Sequence, residues 1–532
     1  MKARLGAALG RKRTVANMQI GTFHSICLEL LKKQGMEFTL ADSVETLEIA
    51  GDIVKAYKLA VTAEQFLQKV SLLKTQIDFQ EKLGLMEDMW QTAVTDYQDR
   101  LKAEHMLDFD DLLMETLRRY DPAWTTAFDF IFVDEFQDIN PVQYALIQKW
   151  NSNGRELFVI GDPDQAIYGF RGADARCFDR LWAQYPNTHR ITLENNYRSA
   201  PQIVNCAMSV ISKNPGGERC LRSCVSDGPL VRMVTASSQM SEAIFVAREI
   251  NRQVGGIDML DAQEKSADTV HEKIRSFADI GILYRTHSQA RLLEKALSQE
   301  GIPYVVSGRD DFLNEKAVRG TIAFFRSIQK PEDIPSRKAC LKLLWSLNEN
   351  ELSNSVYENL YEKYAPLFAK GKPAKVMKMW IEDMNFSGNV SIARLEEMAV
   401  CYKTMPDFLN ELLLGVESDL ARCGGRHYTA DAVRLMTLHG SKGLEFPVTI
   451  ICGFCQGRIP YENDQHPSDL EEERRLFFVG MTRAKEELIL TGFGEPSIFE
   501  ADLACQYLNR ETAVKLTEKK KDEQLSLFDF MG

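Results

Sequence analysis

Phe130-Ile131-Phe132-Val133-Asp134-Glu135-Phe136-Gln137-Asp138 is a run of four apolar residues that leads directly into two adjacent carboxylates. An apolar run without polar alternation is typical of a buried parallel strand, and open α/β sheets bind ligands at the carboxyl ends of such strands. Two neighbouring acids repel each other unless a cation lies beside them. The stretch therefore predicts a Mg²⁺-nucleotide site, with Asp134 as metal ligand and Glu135 as the base that deprotonates a water. The alternative is a strand that ends in a solvated acidic turn.

The composition is that of a soluble globular protein with several domains, since the 532 residues are 26% charged and 45% hydrophobic. No apolar run reaches the length of about 18 residues that a membrane span needs, and no signal peptide is recognised, so a cytoplasmic protein without membrane contacts is expected. The net charge of −12 argues against a uniformly basic nucleic-acid surface but permits a local positive groove.

Apolar runs and helical stretches alternate along the chain, which predicts an α/β fold with doubly wound parallel sheets. Leu, Ile and Val recur at helical spacing in residues 43–120 and again from Glu315 to about Ala430. Residues 511–523 are highly charged and predict a flexible linker. Strands are expected at 128–133, 157–161 and 189–193, and in a second region at 230–235, 279–284, 302–306, 433–438, 448–451 and 488–490.

A second strand ends in a Gly-Asp turn within the stretch FVIGDPDQAIYGFRGA, residues 158–173. The amide of Gln165 is suited to contact a terminal phosphate or its attacking water. Tyr168, Phe170 and Arg171 combine two rings with a guanidinium, which suits stacking on nucleic-acid bases. Aromatic core packing is the alternative for either ring alone.

Three later motifs place cations where a strand meets a helix or loop. Phosphoryl transfer needs such fixed cations, because charge on the γ-phosphate must be neutralised. For any one of these arginines alone, a surface ion pair is the simpler interpretation. The motifs are LENNYRS (193–199), MTLHGSKGLEF (436–446) and EEERRLFFVGMTRA (471–484).

The motifs VDEFQD, GDPDQAIYGFRGA, LENNYRS, TLHGSKGLEF and VGMTRA, in this order, resemble the signature of the UvrD/Rep/PcrA-type superfamily 1 DNA helicases. Gly21-Thr-Phe-His24 and Leu107-Asp-Phe-Asp-Asp111 match two further elements of that family. The resemblance runs from Met1 to about residue 495. It implies two RecA-like doubly wound parallel-sheet motor domains, each with a helical insertion. ATP and Mg²⁺ would bind between the motor domains, and single-stranded DNA would cross both.

Domain boundaries follow from this resemblance and from the alternating pattern. The first motor domain is expected at residues 1–190, with its helical insertion at about 43–120. The second is expected at 191–315 plus 431–510, interrupted by a helical insertion at 316–430. Residues 511–532 would form a flexible tail.

The resemblance also implies roles for individual residues. Asp134 would bind magnesium and Glu135 would be the catalytic base. Gln165, Arg198 and Arg483 would contact the γ-phosphate, Tyr197 would stack on adenine, and Glu445 would contact the ribose. Phe170 stands where many members carry Trp, which keeps a ring but reduces its stacking area. The DNA track would include His24, Tyr168, Phe170, Arg171, Thr437 and His439, although a lone histidine is more often a packed or capping residue.

One family element is missing, because no G-x-x-x-x-G-K-[ST] phosphate loop occurs in the 532 residues. In the family this loop and its strand would precede Met1, and a truncated sequence explains the gap better than an evolved loss. Without the loop's N–H groups and lysine, the chain is expected neither to bind ATP tightly nor to unwind DNA.

The C-terminal tail carries a short segment rich in apolar residues, Gln524-Leu-Ser-Leu-Phe-Asp-Phe530. Gln524, Leu525, Leu527 and Phe528 are similar to the QLxLF motif with which bacterial proteins bind the replication sliding clamp. A segment that packs on its own domain is the alternative. The family resemblance implies an ATP-dependent 3′-to-5′ helicase that acts on single-stranded and forked DNA in repair or replication restart. The alternative function is a non-catalytic module that binds DNA and the clamp.

Overall fold

The chain forms two compact units in the computed structural model. Unit 1 comprises Met1–Pro163, Tyr168–Asn187 and Asp310–Tyr428, and unit 2 comprises Asp164–Ile167, Thr188–Arg309 and Thr429–Gly532. None of the helices in the described part of the chain is long and apolar enough to cross a membrane. The structure describes residues 2–10, 15, 18–41, 43–121, 128–152, 154–216, 219–255, 274–307, 313, 315–331, 333–347, 355–400, 402–414, 431–462 and 469–513.

Unit 2 is built on a parallel sheet of seven strands, in the order β13-β7-β12-β11-β8-β10-β9. The parallel α/β architecture predicted from the alternating pattern is therefore confirmed here. In chain order the strands are β1 (Thr39–Leu40), β2 (Met106–Leu107), β3 (Phe130–Val133), β4 (Glu156–Val159), β5 (Asn195–Asn196), β6 (Arg222–Ser223), β7 (Val231–Ala236), β8 (Ile280–Tyr284), β9 (Tyr304–Val306), β10 (Val433–Thr437), β11 (Phe446–Cys452), β12 (Ala484–Phe493) and β13 (Leu508–Thr512).

The core of this sheet is formed mainly by apolar side chains of its strands and of the helices packed on it. All five residues of β8 are buried, as are most of β11, and side chains of two helices complete the core. Gly281 in β8 lies against the ring of Phe446, so close that a Cβ there would be 2.5 Å from the ring. The helices of unit 2 are Pro201–Ile211, Gln239–Gln253, Ala290–Gln299 and Leu470–Met481.

In unit 1, β3 and β4 pair in parallel, with Phe130 opposite Glu156 and Val133 opposite Val159. The first two predicted strands are thus present, but the third, at 189–193, is wrong. The structure has no strand there, and Ile191 and Leu193 are 68% and 80% exposed. A strand needs a neighbouring strand to pair with its backbone, and within the described residues no strand pairs with this segment.

Several helices of unit 1 begin at side chains that cap them. Capping boxes are formed by Thr62 with Gln65 and by Asp108 with Asp111, each satisfying otherwise unpaired N–H groups. Two short strands, β1 and β2, pair within this otherwise helical region. The helices are Lys2–Leu9, Phe23–Lys33, Ser43–Ala56, Ala63–Lys74, Phe79–Gly84, Asp88–Ala103, Phe109–Arg118, Pro141–Trp150 and Cys177–Gln184.

The second helical region lies in chain order between β9 and β10, which are neighbours in the unit 2 sheet. Its helices nevertheless group with unit 1. The buried Arg326 donates to the carbonyl of Leu40, and Lys330 donates to that of Phe38. Chain order therefore does not predict the packing of this region. Its helices are Lys316–Gln329, Ile334–Trp345, Ser355–Lys370, Pro373–Asp383, Val390–Ala399 and Met405–Leu414.

The edge strand β13 corrects the predicted start of the flexible tail at residue 511. Glu511 and Thr512 belong to this strand and pair with Val234 and Thr235 of β7. The reason is electrostatic, since Arg232 of β7 donates to both carboxylate oxygens of Glu511, with Nε at 2.8 Å. This charged segment is part of the sheet because the carboxylate of Glu511 has a half-buried cationic partner in the neighbouring strand.

We expect Gly281→Ala to destabilise the unit 2 sheet by about 1–3 kcal/mol, because the added Cβ overpacks the Phe446 ring. Hydrogen exchange at 280–284 in increasing urea would measure the change. Gly51→Ala is the control. Gly51 lies in the helix Ser43–Ala56 with no atom within 4 Å of the new Cβ, so the substitution should stabilise that helix by about 0.5–1 kcal/mol. Unchanged exchange in Gly281→Ala would contradict this packing.

Candidate functional site

The acidic turn after β3 presents two exposed carboxylates, Asp134 and Glu135. Glu135 has a φ of 52°, a left-handed conformation that non-glycine residues rarely adopt. Its N–H donates to Asp134 Oδ1 at 3.0 Å, and its Oε2 accepts from Gln137 Nε2 at 2.6 Å. Local hydrogen bonds therefore hold both acids in place at the carboxyl end of the strand.

Gln137 links this turn to the end of β4. Its Oε1 accepts from the N–H of Asp162 at 3.0 Å, while its Nε2 binds Glu135. A Cβ on Gly161 would lie 2.3 Å from Gln137 Oε1, so glycine is needed at that position. The sequence prediction assigned Gln137 no role. The available sequence signal was an amide side chain two residues after the acids.

The turn is suited to bind a magnesium ion together with a nucleotide. The described residues contain no group of three or more His, Cys, Asp or Glu side chains that could hold a metal. Mg²⁺ is commonly bound through only one or two carboxylates, with phosphate oxygens and waters completing its octahedron. The exposed Asp134 carboxylate fits this mode, and Glu135 beside it could accept a proton from water.

Three side chains of unit 1 form an exposed cluster that we call the stacking platform: Tyr168, Phe170 and Arg171. The two ring centroids are 6.1 Å apart, and the Arg171 guanidinium carbon lies 5.7 Å from the first and 5.6 Å from the second. A short turn, Gly169–Arg171, carries two of them. The alternative of core packing does not apply to Phe170, whose surface is 44% exposed.

His24 is placed differently from the platform. It lies in the first turn of the helix Phe23–Lys33, which Thr22 caps by accepting from Ser25 N. The imidazole is half-buried and meets the ring of Phe109 edge-on, with centroids 5.7 Å apart. This packing matches the alternative of a packed histidine, and a DNA contact stays a prediction.

In unit 2, the predicted cation Arg198 and the predicted ribose ligand Glu445 lie together. Arg198 Nε donates to Glu445 Oε2 at 2.7 Å, and Lys485 Nζ lies 2.6 Å from Oε1 of the same carboxylate. Lys485 and Arg198 hold the pKa of Glu445 below its usual range. Tyr197, next to Arg198, has a largely exposed ring.

Arg483 is buried, unlike Arg198. Its Nε donates to the carbonyl of Val479 at 2.9 Å and its Nη1 to that of Leu444 at 3.2 Å. Leu444 directly precedes Glu445, so the backbone brings the predicted phosphate and ribose ligands close together. These carbonyls hold the guanidinium of Arg483, and its predicted phosphate contact stays a prediction.

Residues Asp164–Ile167 are held in unit 2 by three cations. Lys442 Nζ donates to the carbonyl of Gln165 at 3.0 Å, and Arg475 Nε donates to that of Ala166 at 2.8 Å. Arg219 Nη1 lies 3.1 Å from Asp164 Oδ2. The sequence prediction named Gln165 but did not identify these cations. They are far from residues 164–167 along the chain, and the sequence alone does not show contacts between distant residues.

Thr437 and His439 follow β10 at the end of the sheet. Thr437 Oγ1 accepts from the N–H of Gly440 at 3.1 Å, which orders the turn His439–Ser441. Both side chains are half-exposed, and their predicted DNA contacts stay predictions. The predicted clamp-binding residues Gln524, Leu525, Leu527 and Phe528 lie outside the described residues.

Comparisons with known proteins agree with these observations. The chain is 28% identical to the ATP-dependent DNA helicase PcrA of Bacillus subtilis over 94% of its own length and 75% of that protein. It is 28% identical to PcrA of Staphylococcus aureus strain Mu50 over 92% of its length and 74% of that protein. A solved C-terminal domain of a possible DNA helicase from Lactobacillus plantarum covers 59% of this chain, and 98% of that domain is covered, at 13% identity and a TM-score of 0.26.

Two family profiles together match most of the chain. The UvrD/REP helicase N-terminal domain matches residues 1–186. The UvrD-like helicase C-terminal domain matches residues 191–370 and 391–494. The predicted resemblance and the two-domain RecA-like fold class are thereby confirmed, and the chain belongs to the UvrD/REP family of DNA helicases.

Proposed function

We propose that this chain is the core of an ATP-dependent DNA helicase that translocates 3′ to 5′ on single-stranded DNA and opens forked substrates in repair or replication restart. The observation that carries the proposal is the Gln137 bridge, which ties Glu135 in the acidic turn after β3 to Asp162 after the paired strand β4. The relatives named above are ATP-dependent DNA helicases of the PcrA type, which supports the same activity.

For the nucleotide, each residue has a distinct task. Magnesium, when bound, would screen the phosphate charge, and Asp134 is the residue that would hold it. Glu135 would accept the proton of the attacking water while Gln137 keeps its carboxylate oriented. Gln165, Arg198 and Arg483 would contact the γ-phosphate, with Tyr197 on the adenine and Glu445 on the ribose.

The missing phosphate loop is expected to weaken ATP binding by roughly 6 kcal/mol, because about three charge-assisted bonds of about 2 kcal/mol each are lost. We therefore expect titration calorimetry of the 532-residue chain with Mg-ATP to give a Kd in the millimolar range or weaker. DNA-stimulated hydrolysis should not exceed that of Glu135→Gln. Hydrolysis that is clearly above this control would contradict the expectation.

For the DNA, we expect the stacking platform to contact bases. Phe170→Ala should weaken binding to labelled oligo(dT) by about 5- to 150-fold, since stacking contributes about 1–3 kcal/mol per base. Phe132→Ala is the matched control, because that ring is 74% exposed and lies in β3, outside the platform. Fluorescence anisotropy at fixed salt would measure both. Equal affinities for the two variants would refute a role for Phe170.

A second candidate function is a non-catalytic binding module, for which the tail motif at 524–528 is the supporting observation. In this case the chain binds single-stranded DNA and a bacterial sliding clamp without hydrolysing ATP. Salt-dependent DNA binding that ATP does not alter would distinguish it from the motor.

The tail sequence supports a clamp partner under either function, because the amide of Gln524 and the apolar Leu525, Leu527 and Phe528 follow one another closely in sequence beyond a charged linker. We expect Leu527→Ala/Phe528→Ala to abolish retention of the chain on immobilised sliding clamp. Asp529→Ala, which leaves Gln524, Leu525, Leu527 and Phe528 unchanged, should be retained like the unmodified chain. Undiminished retention of the double variant would exclude this motif as the contact.

A further inference from the structure

A buried cation lies in unit 1, outside the residues assigned above. Lys74 ends the helix Ala63–Lys74 and is only 1% exposed. Its Nζ lies 2.6 Å from Asp108 Oδ2 and 2.8 Å from Asp111 Oδ1, and Tyr97 donates its hydroxyl to Asp108 at 3.1 Å. These four residues are called the Lys74 cluster below.

The cluster is charged despite its burial. Burial is the largest effect on Lys74 and lowers its pKa, but Asp108 and Asp111 together outweigh it and raise the pKa above its usual value. Replacing a buried ion pair by apolar residues of similar volume is often neutral or stabilising. The stability of the fold is therefore a weak explanation for the presence of such a cluster. What it does provide is a fixed position for the end of this helix.

The next residue, Thr75, is held by the same helix end. Its N–H donates to Ser71 O at 3.0 Å and its hydroxyl to Leu72 O at 2.8 Å. Its carbonyl accepts from Val142 N at 3.3 Å, at the start of the helix that follows the acidic turn. Thr75 therefore connects the Lys74 cluster to the strand-and-helix part of unit 1.

Thr75 also supports the stacking platform through Gly172. Gly172 ends the turn Gly169–Arg171 with a φ of 83°, and its N–H donates to Gly169 O at 2.9 Å. A Cβ on Gly172 would lie 2.4 Å from Thr75 Oγ1 and 3.0 Å from Thr75 Cβ. The backbone that carries Phe170 is thus in direct contact with Thr75, and nothing larger than glycine fits between them.

We propose that Thr75, anchored by the Lys74 cluster, is a positioning residue that sets the place of Phe170 for base stacking through its contact with Gly172. This inference rests on the proposed role of the platform in binding DNA. It adds a specific steric link between the helical region of unit 1 and that platform.

The test is a double-mutant cycle in the full chain, with oligo(dT) affinity measured by fluorescence anisotropy. Gly172→Ala should weaken binding by at least about fivefold, the lower end of one base's stacking contribution. In the Thr75→Gly background, the same Gly172→Ala change should alter affinity by less than about twofold, because its clash partner is gone. Thr75→Ser, which keeps the hydroxyl, should bind like the unmodified chain.

Gly35→Ala is the control variant for backbone strain. Gly35 also lies in unit 1, has a φ of 74° and has no atom within 4 Å of a new Cβ. It should leave DNA affinity unchanged. If Gly172→Ala does not fold, faster hydrogen exchange at 168–173 in Thr75→Gly than in Thr75→Ser carries the same information. Equal exchange there, or a Gly172→Ala effect that is the same in both backgrounds, would overturn the inference.

Phe170→Ala in the same assay separates the two proposals. If it weakens binding while Gly172→Ala does not, only the positioning role of Thr75 fails. If Phe170→Ala leaves affinity unchanged, the platform does not bind DNA and the proposed function loses its DNA contact.

Discussion

The two hydrogen bonds of the Gln137 amide join the ends of β3 and β4, and the candidate site of unit 1 depends on them. A left-handed, non-glycine residue such as Glu135 costs about 1–3 kcal/mol. A hydrogen bond to a charged carboxylate offsets about 1.5–3 kcal/mol of this cost. The balance keeps an exposed acid in a strained position, and strain of this kind clusters at functional sites. Asp162, the second partner of Gln137, begins the segment that leads to the stacking platform.

The cations of unit 2 differ in how easily a nucleotide could recruit them. Arg198 and Glu445 are 36% and 42% exposed at their side chains, and exposed ion pairs of this kind contribute only about 0–1 kcal/mol. Exchanging Glu445 for a phosphate would therefore cost Arg198 little. Arg483 is buried and donates to two backbone carbonyls, so its release breaks two hydrogen bonds of a buried side chain. The sequence motifs make these arginines look equivalent, whereas their surroundings make Arg198 the more available.

Sequence pattern predicted what depends on local composition. The apolar runs of β3, β8 and β11 identified strands, and the motif order identified the family. Prediction from the sequence pattern failed where a residue far along the chain determines the local structure. Glu511 lies in an edge strand because Arg232 binds it, and Lys442 fixes Gln165 across 277 residues of chain. The apolar residues at 189–193 predicted a strand, but no neighbouring strand pairs with them in the described structure.

We propose that unit 1 carries both an acidic turn after β3 and, on the turn Gly169–Arg171, a ring that stacks on DNA bases. Photo-crosslinking of 5-iodouracil-substituted single-stranded DNA to the full chain, followed by peptide mapping, tests it most directly. We expect crosslinks within residues 168–171, with loss of the crosslink at position 170 in Phe170→Ala. Crosslinks confined to other segments and unaffected by that substitution would contradict it.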